Sequence, residues 1–263
     1  MIGASGLNLI GSGALASLVL LGAAAQAVAA QKETVDPQAA AIAIKSAEYL
    51  ASRPAFSFGW FVSYDEVVEE KEKITYLRSG TTRMVRNSGF VMQTERGDTF
   101  RDYYWDGSTI TVASPNENWH ASADYTGNFE ALVETIRKTT GTVVPMWSIL
   151  SKDLPRDLLK NADAGAYLGK TLVAGKEAHH LAFSEKEEDW QIWVSTSETS
   201  PVPLMLIGTE KAKTGWPQYR VYMTDWNVDL DQDSVQFKYV PGENSLEITL
   251  PLLSDISEDA QKN

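Results

Sequence analysis

From Phe56 onward the sequence repeatedly switches to a period of two, and that pattern limits the fold more than any other feature of the chain. Phe56, Phe58, Trp60, Val62 and Tyr64 alternate with Ser57, Gly59, Phe61 and Ser63. Successive side chains of a strand point to opposite faces, so one face of this strand is almost wholly apolar. Further short strands are expected at Lys73–Arg78, Thr82–Asn87, Phe90–Glu95, Thr99–Trp105 and Thr109–Ala113, with Asp106-Gly107 as a hairpin turn between the last two. The acidic stretch from Asp65 to Glu72 reads as a solvated turn or strand end. Strand patterns resume at Tyr167–Val173, His179–Ser184, Trp190–Ser195, Leu204–Thr209, Tyr219–Trp226 and Val235–Tyr239.

Helical signals punctuate this series. Asp36-Pro37 opens the first helix, as N-cap and first helical residue, with Ala40, Ile44, Ala47 and Ala51 at helical spacing and Pro54 barring continuation. A second helix is expected from Asn128 to Thr140, placing Phe129, Leu132, Val133 and Ile136 on one face before Gly141. The apolar segment Val143–Leu150 follows, and Pro155 opens one more short helix. Many strands, an N-terminal helix and a mid-chain helical insertion predict an α+β domain with a wide, curved antiparallel sheet and helices on one face.

Residues 1–30 carry no charged side chain, and Lys32 is the first. The apolar run Ala14–Leu21, then small residues ending in Val28-Ala29-Ala30, reads as a secretory signal peptide cleaved near Ala30, although no Lys or Arg precedes the apolar core. The rival reading is an N-terminal anchor in the inner membrane; Gly11-Ser12-Gly13 and Gln26 leave a core short for spanning. The expected organisation is a signal peptide at 1–30, one domain at 31–250 and a C-terminal tail at 251–263, with the mature protein periplasmic or secreted.

Zero cysteine excludes disulfides, thiolate metal sites and cysteine nucleophiles. With 23 basic and 35 acidic side chains the net charge is −12, which argues against a broad nucleic-acid surface, because duplex binding needs clustered Lys and Arg to displace counterions. It also disfavours docking on anionic headgroups, while peripheral membrane contact stays open. No P-loop, dinucleotide glycine fingerprint, G-x-S-x-G elbow or H-E-x-x-H pair is present. His179 and His180 are adjacent in a strand and face opposite ways, so together with His120 they read as structural or surface residues, and no metal or cofactor is expected. The run Asp225, Asn227, Asp229, Asp231, Asp233 lacks the glycine and glutamate of a calcium loop and reads as a strand end and turn.

The unusual content is aromatic: 8 Trp, 10 Tyr and 8 Phe, concentrated in strands. Several of them lie in motifs that resemble a known family. Tyr104-Trp105-Asp106-Gly107-Ser108-Thr109, Leu172-Val173-Ala174-Gly175, His179-His180-Leu181-Ala182-Phe183, Asp189-Trp190-Gln191-Ile192-Trp193, Pro217-Gln218-Tyr219 and Asp225-Trp226-Asn227 together resemble the domain-of-unknown-function 2092 family of predicted periplasmic proteins, from about Asp36 to Tyr239. Ala178 stands where family members are expected to carry Cys, which counts against a shared thiol chemistry. The family is similar in fold to the outer-membrane lipoprotein carriers. That resemblance implies a curved antiparallel half-barrel sheet, covered on its concave face by the N-terminal helix and the mid-chain helical insertion, around a cavity for acyl chains.

The leading expectation is therefore a non-catalytic exported protein that holds a lipid or other apolar small molecule by burying its hydrocarbon. The alternative is an envelope structural or interaction module with a packed interior and a protein partner; a hydrolase without a recognisable motif comes third. The expected ligand-binding residues are Phe58, Trp60 and Val62 on the first strand, with Trp147, Ile149 and Leu150 from the insertion, and Trp60 and Trp147 are expected to share one interior space.

Overall fold

The computed structural model describes residues 34–132 and 149–250. The leader, Trp147 and the C-terminal tail lie outside the described residues. The Asp36 side chain accepts from the backbone N–H of Gln38 and Ala39, so helix α1 (Pro37–Ser52) starts where the Asp-Pro signal places it. Its buried stripe is Ala39, Ala43, Ser46, Ala47 and Leu50, which shares only Ala47 with the residues noted at helical spacing. Small side chains let the helix sit close on the sheet, where it packs against the strands of one half and on the short helix α2 (Leu154–Asp157).

The strands in chain order are β1 (Ala55–Val68), β2 (Glu72–Val85), β3 (Gly89–Arg96), β4 (Thr99–Trp105), β5 (Thr109–Ser114), β6 (Trp119–Asp124), β7 (Ala164–Val173), β8 (Lys176–Ser184), β9 (Glu188–Ser195), β10 (Pro203–Glu210), β11 (Gln218–Asn227) and β12 (Leu246–Glu247). All belong to one open, curved sheet of order β12-β6-β5-β4-β3-β2-β1-β11-β10-β9-β8-β7. Neighbours pair antiparallel except β12, which adds to β6 in parallel. The chain thus meanders from β1 to one edge, crosses to the opposite edge, and meanders back until β11 pairs with β1. That crossing runs through residues 125–163. Its described helical residues bury Phe129, Leu132, Ile149 and Leu150 in the same core as α1 and the sheet.

Three local expectations are corrected. Lys73–Arg78 and Thr82–Asn87 are one continuous strand, β2. The intervening Gly80 is no break: Trp60 lies over it, and a methyl group there would come within 2.5 Å of Trp60 Cζ2. The acidic stretch after Tyr64 is the expected strand end and turn, with strand as far as Val68 and the turn at Glu69-Glu70. Residues 235–239 form no strand. Their apolar alternation serves side-chain packing instead, since the Tyr239 ring lies 5.5 Å from Tyr104 and 5.3 Å from His120. Strand β6 is absent from the sequence reading.

Candidate ligand-binding face

Register fixes which side chains share the helix-covered, concave face. Directly opposed residues of paired strands lie on the same side, so each row across the sheet can be read from the pairing. One row runs Met223, Trp60, Gly80, Thr94, Arg101 across β11, β1, β2, β3 and β4. The next runs Leu181, Ile192, Leu206, Val221, Val62, Arg78 from β8 to β2. A third, nearest one end of the strands, runs Phe183, Trp190, Gly208, Tyr219, Tyr64, Tyr76.

Of the residues expected at the site, Phe58 and Trp60 point into this interior and are buried, Trp60 to 6% exposure. Phe58 stacks on Trp226 at 4.4 Å between ring centroids. The Trp60 indole N–H donates to Thr82 Oγ1 at 3.1 Å, which satisfies its polar atom without water. Val62 is only half-buried and packs on the same core, to which Ile149 and Leu150 also belong. Trp147 is outside the described residues, so its pairing with Trp60 is not part of this geometry.

The two ends of the face differ. At the end where α1 finishes, the Arg86 guanidinium donates to Arg53 O at 3.0 Å, Leu150 O at 2.7 Å and Leu50 O at 3.0 Å, and it lies 5.4 Å from the Phe56 ring. Burial lowers its pKa, while the Glu130 charge acts in the opposite direction. This arginine joins the Arg53 N–H on Leu50 O, adds a donor to Arg53 O, and ties the helix end to the insertion through Leu150 O. At the other end burial fades along the third row, from Phe183 and Trp190, which are buried, to Tyr219, Tyr64 and Tyr76, which are half-exposed.

That open end is lined with rings and charge. Tyr64 and Tyr76 stack at 5.6 Å. Arg78 lies 5.6 Å from the Tyr64 ring and Arg96 lies 4.7 Å from the Tyr76 ring. Tyr103 is next to them: burial raises its pKa, and the charges of Arg78 and Arg101 lower it. Toward β9, Tyr219 crosses the space above Gly208 and donates to Glu188 Oε1 at 2.8 Å. Burial raises the Glu188 pKa in spite of that hydrogen bond. The sequence reading missed Tyr76, Arg78, Arg96 and Tyr219 as a group. The available signal was the spacing of Tyr76 and Arg78 two residues apart, which places both on one face of a strand.

The histidines are held by local partners. His179 Nδ1 is 3.1 Å from the Tyr167 hydroxyl, His180 Nε2 is 2.9 Å from Gln191 Oε1, and His120 Nδ1 is 2.9 Å from Ser245 Oγ. Among the described residues no three His, Asp or Glu side chains are grouped as a metal site. In the Asp225–Asp233 run, Asp231 caps the 3-10 turn Gln232–Ser234 and Asn227 accepts from the backbone of Asp229, so these oxygens serve turns. On the convex side a depression of about 580 Å³ is bounded by Val85, Asn87, Ser88, Asp106 and residues 232–237, and its lining is mainly polar. Among the described residues no helix is long and apolar enough to cross a membrane.

The model of the family described as predicted periplasmic protein, DUF2092, matches residues 39–251. A search of curated proteins gives no match. The chain is similar to the crystal structure of lipoprotein LppX from Mycobacterium tuberculosis, at 11% identity and a TM-score of 0.39, over 74% of this chain and 98% of that one. It is similar to LprF from Mycobacterium bovis at 11% identity and 0.41, over 80% and 100%. It is also similar to a LolA superfamily protein from Nitrosomonas europaea at 9% and 0.35, over 76% and 97%. Identities and scores this low carry no function from those proteins to this one.

Proposed function

The chain belongs to the DUF2092 family of predicted periplasmic proteins, and we propose that it is a non-catalytic binding protein of the cell envelope that shelters an apolar ligand on the concave face of its sheet. One observation carries this reading. The interior apolar surface is continuous across both halves of the sheet, tied where Arg86 holds the helices, and at the opposite end its last row passes from the buried Phe183 and Trp190 to the half-buried rings of Tyr219, Tyr64 and Tyr76. A packed module needs no such opening, whereas a ligand site is a concave, mostly apolar space with a way in. Phe58, Trp60, Val62, Ile149 and Leu150 form the proposed wall, with Trp147 as a further member outside the described residues. Val62, Tyr64 and Tyr76 form the entrance. Each methylene buried there contributes about 0.8 kcal/mol. Export follows from the leader, with the mature chain starting at or near Gln31.

The test is extraction of protein purified from its native envelope fraction, followed by mass spectrometry and titration of the stripped protein with a fluorescent fatty-acid probe. A co-purified apolar molecule that the probe displaces supports the reading. A protein with neither bound nor exchangeable apolar ligand is the packed module. N-terminal sequencing of the same sample checks export, since an intact Met1 in the membrane fraction would restore the anchor.

A further inference from the structure

We infer that the open end of the concave face is a head-group site for anionic amphiphiles, in which Arg78 and Arg96 receive the acidic group while the hydrocarbon runs inward past Val62 to Trp60. This rests on the binding reading above and specifies its ligand class.

Three observations lead here. First, among the described residues Arg78 and Arg96 have no carboxylate partner, in a chain with 35 acidic against 23 basic side chains. Two arginines of adjoining strands do have one: Arg101 pairs with Glu117 at 2.8 Å and Arg220 approaches Asp65 at 3.8 Å. Second, the two unpaired guanidiniums sit on the same face. Val62 opposes Arg78 in the register, and Arg96 follows Thr94, which belongs to the Trp60 row, by two residues. Each lies by one ring of the stacked Tyr64–Tyr76 pair, so the sequence in space is Arg78, Tyr64, Tyr76, Arg96. Ring contact holds a guanidinium by its plane and leaves its edge N–H donors free for an oxyanion. Third, the apolar rows reach this point without a polar interruption, because Val62 lies between Arg78 and Val221 in its row. Two neighbouring cations repel one another unless an anion lies between them, and the rim acids Glu188 and Glu185 belong to the β9 side, engaged with Tyr219 and Trp190. The opening therefore presents charge on the β2–β3 side and hydrocarbon behind it, which is the chemistry of a fatty carboxylate or an acyl phosphate ester.

The test compares dodecanoate and dodecyl phosphate with dodecanol, and inorganic phosphate alone, on the stripped full-length mature protein by calorimetry. Wild type is expected to bind the two anionic amphiphiles about tenfold or more tighter than dodecanol, with the advantage shrinking as salt rises. Arg78→Gln and Arg96→Gln are each expected to weaken the anionic ligands about five- to tenfold, and to leave dodecanol binding unchanged, which also reports that the variants are folded. Equal affinity of wild type for charged and neutral amphiphiles would overturn the head-group site while leaving the apolar cavity intact. Phosphate alone binding as tightly as dodecyl phosphate, and lost in both variants, would make the site one for free anions and overturn the amphiphile assignment. Absence of binding by any of the amphiphiles would overturn this inference together with the binding function on which it rests.

Discussion

Arg86 and the pair Arg78 and Arg96 lie at opposite ends of the same face, and the same side chain serves opposite purposes there. Arg86 spends its donors on three carbonyls and is partly withdrawn from water. Arg78 and Arg96 are exposed, rest on tyrosine rings and meet no carboxylate among the described residues. A guanidinium with its hydrogen bonds satisfied by backbone is part of the scaffold. One that is positioned but unsatisfied is available to something else. The difference separates the end that ties the helices to the sheet from the end proposed to take a ligand.

The largest expected effect breaks the scaffold end. Arg86→Met removes the guanidinium from three carbonyls of the α1 end and the insertion, of which Leu50 O keeps the Arg53 N–H, and should cost about 4 kcal/mol in a urea melt. A loss no greater than that of a surface substitution would mean that water replaces the guanidinium and that this end is not tied by it. Trp60→Ala comes next, at about 3 kcal/mol for truncating a buried indole. Under the binding reading it also weakens the fatty-acid probe at temperatures where the variant is folded. The full truncation cost with no probe binding in wild type would place Trp60 in a packed core.

The third prediction uses pH. Burial raises the folded pKa of Glu188 above its ordinary value, so the folded state holds this proton more tightly than the unfolded chain does. Its contribution to stability is therefore fully present below the unfolded pKa, and is lost as pH rises through the folded one. Glu188→Gln keeps an acceptor for the Tyr219 hydroxyl and removes the charge. It should be more stable than wild type at pH 7, with the gap closing as pH falls toward the ordinary carboxylate range near ~4.3. A gap that does not change with pH would show that Glu188 is not desolvated in the folded protein. The smallest effect sharpens the other end of the comparison: Arg78→Gln should change stability by less than about 0.5 kcal/mol, although the same variant loses affinity for anionic amphiphiles. A clearly destabilised Arg78→Gln would return this arginine to the scaffold.

Much of the local structure could be read directly. The N-cap Asp36, the hairpin at Asp106-Gly107 and the apolar side of β1 follow from short-range rules, since capping, turn geometry and strand alternation involve residues only a few positions apart. Gly80 defeated the same rules. A glycine flanked by Ser79 and Thr81 looks like a strand break, but it pairs with Trp60 on one side and Thr94 on the other, close beneath the Trp60 ring and the Gln93 carbonyl. Residues 235–239 failed for the converse reason: their alternation matches a neighbouring surface through side chains, without a backbone partner.

By itself, then, the sequence determined the strand periodicity, the facing of Phe58, Trp60 and Val62 toward one side, and the lack of thiol chemistry. The tertiary structure alone decided that β11 returns to β1. That pairing joins the apolar rows of the two halves, brings Tyr219 beside Tyr64, and sets the arginines of β2 and β3 at the end of a surface begun on β8. Alternation specifies the face on which a side chain lies but not the strand beside it. The choice of neighbour depends on register between segments far apart in the chain, where a shift by one residue would turn every apolar side chain to the opposite face.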